Sequence, residues 1–207
     1  MPVLHPCPDD DGQPVTLHLP SAPTGLAAWM DAAAIATVVP GGAMPAALNG
    51  IAFDAWAGAA EGAWDALAND AADPEPPFVL PPGLAAAAGA VIVEEDGRVW
   101  LVAPSNGFGG YDATFPKGRV DAGTSLRCAA VREAFEESGL KVEIDGFLID
   151  VRRTLTYTRY YLARRVGGHP GTMGWESQAV HLVPLAMLAE VATHRNDVAI
   201  IAALLSR

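Results

Sequence analysis

The chain has 207 residues, 51% of them hydrophobic, which is ample for a sizeable core and for either one large domain or a domain with an appendage. Its formal net charge of −11 is unevenly spread: all 13 Lys and Arg lie at Arg98 or later, while residues 1–97 carry 13 Asp and Glu. That imbalance excludes general affinity for nucleic acid or anionic membrane from the N-terminal part, and it suggests two segments with different tasks.

The first residues contain Asp9-Asp10-Asp11 and no basic, apolar leader pattern, so no signal peptide is expected. They run through turn-rich sequence to a short strand, Val15 to Leu19, with apolar and polar residues alternating. His5 and His18 have no Cys, His or acid cluster at ligand spacing beside them and read as structural or solvated. Gly25 to Ala36 is Ala-rich and reads as a helix stopped by Pro40-Gly41-Gly42. Phe53, Trp56, Ala60, Trp64 and Leu67 recur at helical spacing, which marks a buried core face more readily than a binding box.

Between Asp70 and Pro82 the composition turns to Asp, Glu and five prolines, a boundary or an extended covering strap. The chain is therefore divided into residues 1–83, an Ala-rich N-terminal extension or lid subdomain, and a catalytic body over residues 84–207. The longest strongly apolar run, Leu84 to Val93, is too short to span a bilayer. Gly89 to Val93 and Arg98 to Val102, separated by Glu94-Glu95-Asp96-Gly97, form a hairpin signal. Ser105 to Tyr111, with three glycines and an Asn, reads as a loop.

From Thr124 onward there is no Gly or Pro until Gly139, so Thr124 or Ser125 reads as the N-cap of a helix and Gly139 as its left-handed C-terminal residue. Glu133, Glu136 and Glu137 then stand at i, i+3 and i+4, three carboxylates within one turn that Arg132 alone cannot neutralise. Either this is a solvated acidic face or a divalent cation supplies the counter-charge. An oxygen-only donor set points to Mg²⁺ or Mn²⁺. Beyond the helix, Val142 to Val151, Leu155 to Arg165 and Ala179 to Val183 read as strands, with Gly167 to Gly174 as a loop. Leu185 to Val191 and Asp197 to Leu205 read as helices. Strands mixed with helices on this scale predict a layered α/β arrangement.

Gly118, five residues, Thr124, seven residues, then Arg132-Glu133-Ala134-Phe135-Glu136-Glu137-Ser138-Gly139-Leu140 resembles the Nudix box, G-x5-E-x7-R-E-U-x-E-E-x-G-U with U aliphatic. The departure is Thr124, where the family usually has Glu. The resemblance implies an α/β/α sandwich with a mixed sheet over roughly residues 86–207 and a metal-dependent hydrolase that cleaves a pyrophosphate linkage. It implies Mg²⁺ or Mn²⁺ held by Glu133, Glu136, Glu137 and the carbonyl of Lys117, with Arg132 orienting Glu133. Glu176, the one acid in the loop from Gly167 to Glu176, reads as an extra ligand, as the base that activates water, or as a surface residue. Glu133 is the other candidate base.

Phe115-Pro116-Lys117-Gly118 resembles the lead-in to the box in Nudix enzymes acting on dinucleoside polyphosphates, diphosphoinositol polyphosphates and capped RNA. The expected partner is accordingly a small phosphorylated molecule, with an RNA 5′ end as the one nucleic-acid exception, no membrane, and a homodimer left open. A period of two along the Arg-rich strand puts Arg153, Tyr157, Arg159, Tyr161 and Arg165 on one face, suited to binding phosphate and base. The competing reading is that these arginines pair with the acids of residues 1–97 and the tyrosines fill core. The contrasting function is a Nudix-fold binding or regulatory module with little turnover, which Thr124 keeps open. Two cysteines, Cys7 and Cys128, without bridge or metal spacing favour a reducing, cytoplasmic setting.

Overall fold

The computed structural model describes residues 2–56, 63–68, 74–107 and 110–207. Nine strands fall at Ala36–Val38 (β1), Ala47–Leu48 (β2), Ile51–Ala52 (β3), Ala85–Val93 (β4), Arg98–Pro104 (β5), Lys117–Arg119 (β6), Leu140–Arg152 (β7), Thr156–Gly168 (β8) and Ser177–Pro184 (β9). Four α-helices cover Ala63–Ala68 (α1), Leu126–Ser138 (α2), Leu188–Val191 (α3) and Val198–Leu205 (α4).

The main sheet has the order β1-β9-β5-β4-β8-β7, with β6 paired to β4, and β2 and β3 form a separate two-stranded ribbon. β4 runs parallel to β8 and every other pairing is antiparallel, so the sheet is mixed. β4 and β5 meet only at Val93 and Val99, at the hairpin end, and then diverge. β6 enters the gap, with Lys117 opposite Gly89 and Arg119 opposite Ala87. That split is what lets the turn-rich segment before α2 sit inside the sheet.

α2 lays Ala129, Ala130, Val131 and Ala134 on one face of the sheet, against Ala88, Ala90 and Tyr161. The small residues of β4 and α2 allow helix and sheet to approach closely. The C-terminal helices put Leu188, Ile200 and Ile201 on the other face with Val91, Leu101, Phe115 and Tyr160. The result is the layered α/β/α arrangement expected, with buried apolar surface on both faces of the central strands.

The capping of α2 is local chemistry. Ser125, with extended backbone, accepts the Cys128 N–H on Oγ at 3.1 Å, and Gly139 closes the helix at φ 69°, donating its N–H to Phe135 O. Thr124 lies one residue outside, its N–H bonded to Asp121 O. Ser125→Ala is therefore expected to cost about 1 kcal/mol in urea unfolding, and Thr124→Ala a small fraction of that.

The N-terminal part departs from its sequence reading. Leu26–Met30 is a single 3-10 turn, and Ala36, the last residue of the expected helix, instead joins Thr37 and Val38 in a strand paired with β9 at the sheet edge, where Thr37 and Val38 suit a strand. The expected strand at Val15–Leu19 is reduced to one bridge, Leu4 to Thr16. Phe53 is not on a helix with Trp64. It follows β3 and meets Trp29 and Trp100 edge-on at 6.0 and 6.3 Å ring separations. Trp56 and Trp64 instead pack on Phe135 of α2, and Ala60 lies outside the described residues. Trp29, Ala36, Val38, Leu48 and Phe53 belong to the same buried cluster as α2 and the sheet, so residues 24–56 share its core.

Two arginines fasten this part to the sheet. Arg98 donates to the carbonyls of Ala28 and Trp29 as well as to Asp96. Arg165 bonds Leu48 O at 2.9 Å and pairs with buried Glu94, which also accepts Trp100 Nε1–H at 2.8 Å. Among the described residues, no helix is long and apolar enough to cross a membrane.

Candidate active site

The site is assembled from α2, the short strand β6 and the loop before β9. Glu133 and Glu137 are one helical turn apart and both point at β6. Glu137 accepts the Lys117 N–H on Oε2 at 2.8 Å. The Glu133 carboxylate lies directly on Gly118, where an added Cβ would stand 2.0 Å from Oε2. Glycine is required there because any side chain would occupy the space of the carboxylate. Glu133 Oε1 accepts from Arg132 Nη2 at 3.1 Å, and the same guanidinium bonds Asp121 and the carbonyl of Arg119. Arg132 thus ties helix, strand and loop together and holds Glu133 in place.

Glu176 arrives from the opposite side on the loop between Gly174 and Ser177. One oxygen from each of Glu133, Glu137 and Glu176 lies within 4.8 Å of the others. Burial raises the Glu133 carboxyl to about 7, helped by the charges of Glu136 and Glu176 and opposed by the bond from Arg132. Burial likewise raises Glu137 to about 8, against the opposing Lys117 ammonium and N–H. Glu136 and Glu176 are also shifted upward, burial first among the causes. Carboxylates that are shifted upward by burial, converge from two elements and offer only oxygen fit a hard divalent cation.

Glu136 does not join this trio. On a helix with about 100° per residue it lies roughly 60° to one side of Glu133, while Glu137 lies roughly 40° to the other. That rotation leaves Glu136 exposed, 3.7 Å from Arg132 Nε. It faces a cleft of about 310 Å³ lined also by Asp10, Phe135, Thr172, Trp175 and Glu176. The structure brings together Glu133, Glu137, Glu176 and the Lys117 backbone, and sets Glu136 at their rim.

The Arg and Tyr residues expected to share one substrate-facing strip are placed differently. Arg153 precedes β8, in a turn where its N–H bonds Thr156 O, so the period of two does not reach it. Its guanidinium donates to Tyr160 Oη, Asp197 Oδ1 and Tyr111 Oη on the other face of the sheet. Arg159 is 1% exposed, bonded at 2.8 Å to both oxygens of Asp150, its cross-strand partner on β7, and paired with Glu75 at 3.2 Å. Tyr161 is buried in the core and its hydroxyl donates to Glu75. Tyr157 stacks near Phe78 at 5.3 Å. The Pro-rich strap covers this strip because a guanidinium leaving water needs acceptors, and Glu75 and Asp150 supply them. Of the two readings open in the sequence, pairing with acids is nearer these contacts, with Glu75 and Glu94 from residues 1–97 and Asp150 and Asp197 from beyond them.

Sequence reasoning overlooked the N-terminal residues near the site. Asp10 accepts the Trp175 Nε1–H at 3.0 Å, and His5, 5% exposed, bonds Ser177 O. The run Asp9-Asp10-Asp11 was the available signal, an acidic turn with no Lys or Arg before Arg98.

Comparison with known proteins bears on the same residues. A family model described as NUDIX domain matches residues 83–204. RNA pyrophosphohydrolases from two strains of Caulobacter vibrioides, NA1000 / CB15N and ATCC 19089 / CIP 103742 / CB 15, are each 37% identical over 92 residues, 44% of this chain and 50% of theirs. The chain thus spans about half the length of the curated relatives it matches. Among solved structures, a C. elegans Ap4A hydrolase binary complex is 22% identical, with 58% of this chain and 96% of that one covered at a TM-score of 0.49. An ADP-ribose pyrophosphatase from Streptococcus suis 89-1591 is 22% identical, with 59% and 92% covered at a TM-score of 0.48. The family match spans well over half of the chain, including β6, α2 and the Glu176 loop, and the chain belongs to the Nudix family.

Proposed function

We propose that this chain is a divalent-metal-dependent hydrolase that cleaves a pyrophosphate linkage in a polyphosphate-bearing substrate. The observation that carries the reading is the convergence of Glu133, Glu137 and Glu176 to within 4.8 Å, two of them buried carboxylates raised to about 7 and about 8. Mg²⁺ or Mn²⁺ held by these three and the Lys117 carbonyl would supply neutralising charge for phosphate oxygens and an acidified water.

The chain's own groups do the rest. Arg132 fixes Glu133 through one hydrogen bond while its other contacts anchor it to β6, so the carboxylate keeps its orientation on Gly118. Glu176, exposed on its loop, or Glu133 takes the proton of the attacking water. In the metal-free chain burial shifts both upward, the direction that strengthens a carboxylate as a base. Glu136, on the cleft side of Arg132, completes the acidic rim.

The substrate class rests on the Phe115-Pro116-Lys117-Gly118 lead-in and on the Caulobacter relatives, whose name specifies RNA pyrophosphohydrolysis. Dinucleoside polyphosphates, diphosphoinositol polyphosphates and pyrophosphorylated RNA 5′ ends form the candidate set. Arg159 and Tyr161 no longer support the choice, since Glu75 holds both. In the same reading residues 1–83 cover the body 84–207, and the protein works in the reducing cytoplasm.

The purified chain should release phosphate product from at least one of these three classes with Mg²⁺ and none with EDTA. Binding without release from any of them, at any Mg²⁺ concentration, would make it a Nudix-fold binding module instead.

A further inference from the structure

The loop that carries Glu176 is held on both sides by a segment outside the matched domain. Residues 3–17 form a miniature hairpin, with His5 N–H on Val15 O at 2.8 Å, Leu17 N–H on Val3 O at 2.9 Å and the bridge from Leu4 to Thr16. At its tip Asp9 Oδ1 accepts the N–H groups of Asp11 and Gln13 at 3.1 and 2.7 Å, which fixes the turn bearing Asp10.

From this hairpin two side chains reach the loop. Asp10 accepts the indole N–H of Trp175, one residue before Glu176. Buried His5 accepts the Cys7 N–H on Nδ1 at 3.0 Å, which leaves Nε2–H to donate to the carbonyl of Ser177, one residue after Glu176, at 3.1 Å. Two further bonds join Gln178 to the same segment: Nε2–H to Leu19 O at 3.1 Å, and Oε1 from Ser21 N–H at 2.7 Å. The backbone carbonyl of Glu176 accepts the Ser105 N–H, and His18 N–H bonds Ser105 O in turn.

We infer that residues 3–21 are a positioning clamp for Glu176, with His5 and Asp10 as its positioning residues. The inference rests on the proposed role of Glu176. A loop free to move by an ångström would carry its carboxylate out of reach of Glu133 and Glu137, which are fixed on a capped helix. Gly174 is itself tied to α2 through its N–H on Glu136 O at 2.8 Å, and the clamp fixes the residues that follow it, Trp175 to Gln178.

The test uses the full chain. Asp10→Ala and His5→Ala should each lower kcat about ten-fold with little change in KM, raise the Mg²⁺ concentration giving half-maximal rate, and weaken Mn²⁺ binding followed by calorimetry. Asp10→Asn, which keeps an oxygen to accept the Trp175 N–H, should retain near-native values. In a Glu176→Gln background neither alanine variant should cause a further loss. Native-like kcat, Mg²⁺ dependence and Mn²⁺ affinity in both alanine variants would overturn the clamp, as would losses that simply add to that of Glu176→Gln. A loss in Asp10→Asn as large as in Asp10→Ala would likewise overturn it, since the Asp10 charge would then matter rather than its bond. A wild-type chain without metal-dependent turnover speaks against the proposed function. The Mn²⁺ affinities of wild type and variants still decide the clamp in that case.

Discussion

Glu137→Gln should reduce metal-dependent turnover by roughly 100-fold or more while leaving the metal-free protein more stable than the wild type at pH 8. Removing a group that holds a catalytic metal costs at least what is lost with its supporting neighbours, typically 10–100-fold. The gain in stability follows from proton linkage. Burial lifts the Glu137 and Glu133 carboxyls to about 8 and about 7, above the ordinary glutamate value of 4.5. Between 4.5 and about 8 the folded chain therefore binds protons that the unfolded chain has released, and its stability falls as pH rises through that window. The amide of Gln still accepts the Lys117 N–H but carries no charge to bury. Thermal melts in EDTA should show the wild type losing stability from pH 5 to pH 8 and the variant losing less, on the order of the 1.4 kcal/mol per pKa unit that linkage allows. Mg²⁺ should stabilise the wild type at pH 8 and the variant hardly at all. Equal pH slopes with EDTA, or full turnover by the variant, would contradict the site.

The second large effect is structural. Arg165→Met leaves Glu94, 5% exposed and surrounded by Trp100 and Asn49, as a buried carboxylate without its cation, and it removes the bond to Leu48 O. Breaking one side of such a pair costs about 3–5 kcal/mol. Urea unfolding followed by tryptophan fluorescence should show that loss, and Arg165→Met with Glu94→Gln together should recover part of it, because the stranded charge goes as well. A cost under about 1 kcal/mol for the single variant would show that the pair is not what fastens β8 to the β2–β3 ribbon.

How much of this was legible beforehand depends on the range of the interactions. The helix from Leu126 to Ser138 is set by a Ser cap and a glycine with positive φ, signals a few residues long, and it stands where the sequence placed it. The hairpin of β4 and β5 was readable for the same reason. By contrast Ala36 continues an Ala-rich run that reads as helix, and it joins Thr37 and Val38 in a strand because β9 offers an edge far along the chain, with Ala36 opposite Leu182. Glu136 and Glu137 are indistinguishable by motif, and only the rotation of the helix over β6 separates one buried against the Lys117 N–H from one exposed to the cleft. For Arg159, charge asymmetry held half of the clue: the first 97 residues carry acids and no Lys or Arg, and supply Glu75, while the bidentate partner Asp150 comes from the neighbouring strand.

The pairing of β1 with β9 has a bearing on solution behaviour. Val180 and Leu182 are fully buried, and His181, whose Nδ1 lies 2.9 Å from the Thr37 hydroxyl, is held well below its usual range by burial, at about 4. β1 lies across this row as the last strand of the sheet on that side. Without it β9 would be a largely apolar outer strand with unpaired N–H and C=O groups, the kind of template on which chains add to one another. Ala36–Val38 thereby occupy, with a piece of the same chain, the backbone edge on which a strand from another copy would otherwise have to pair.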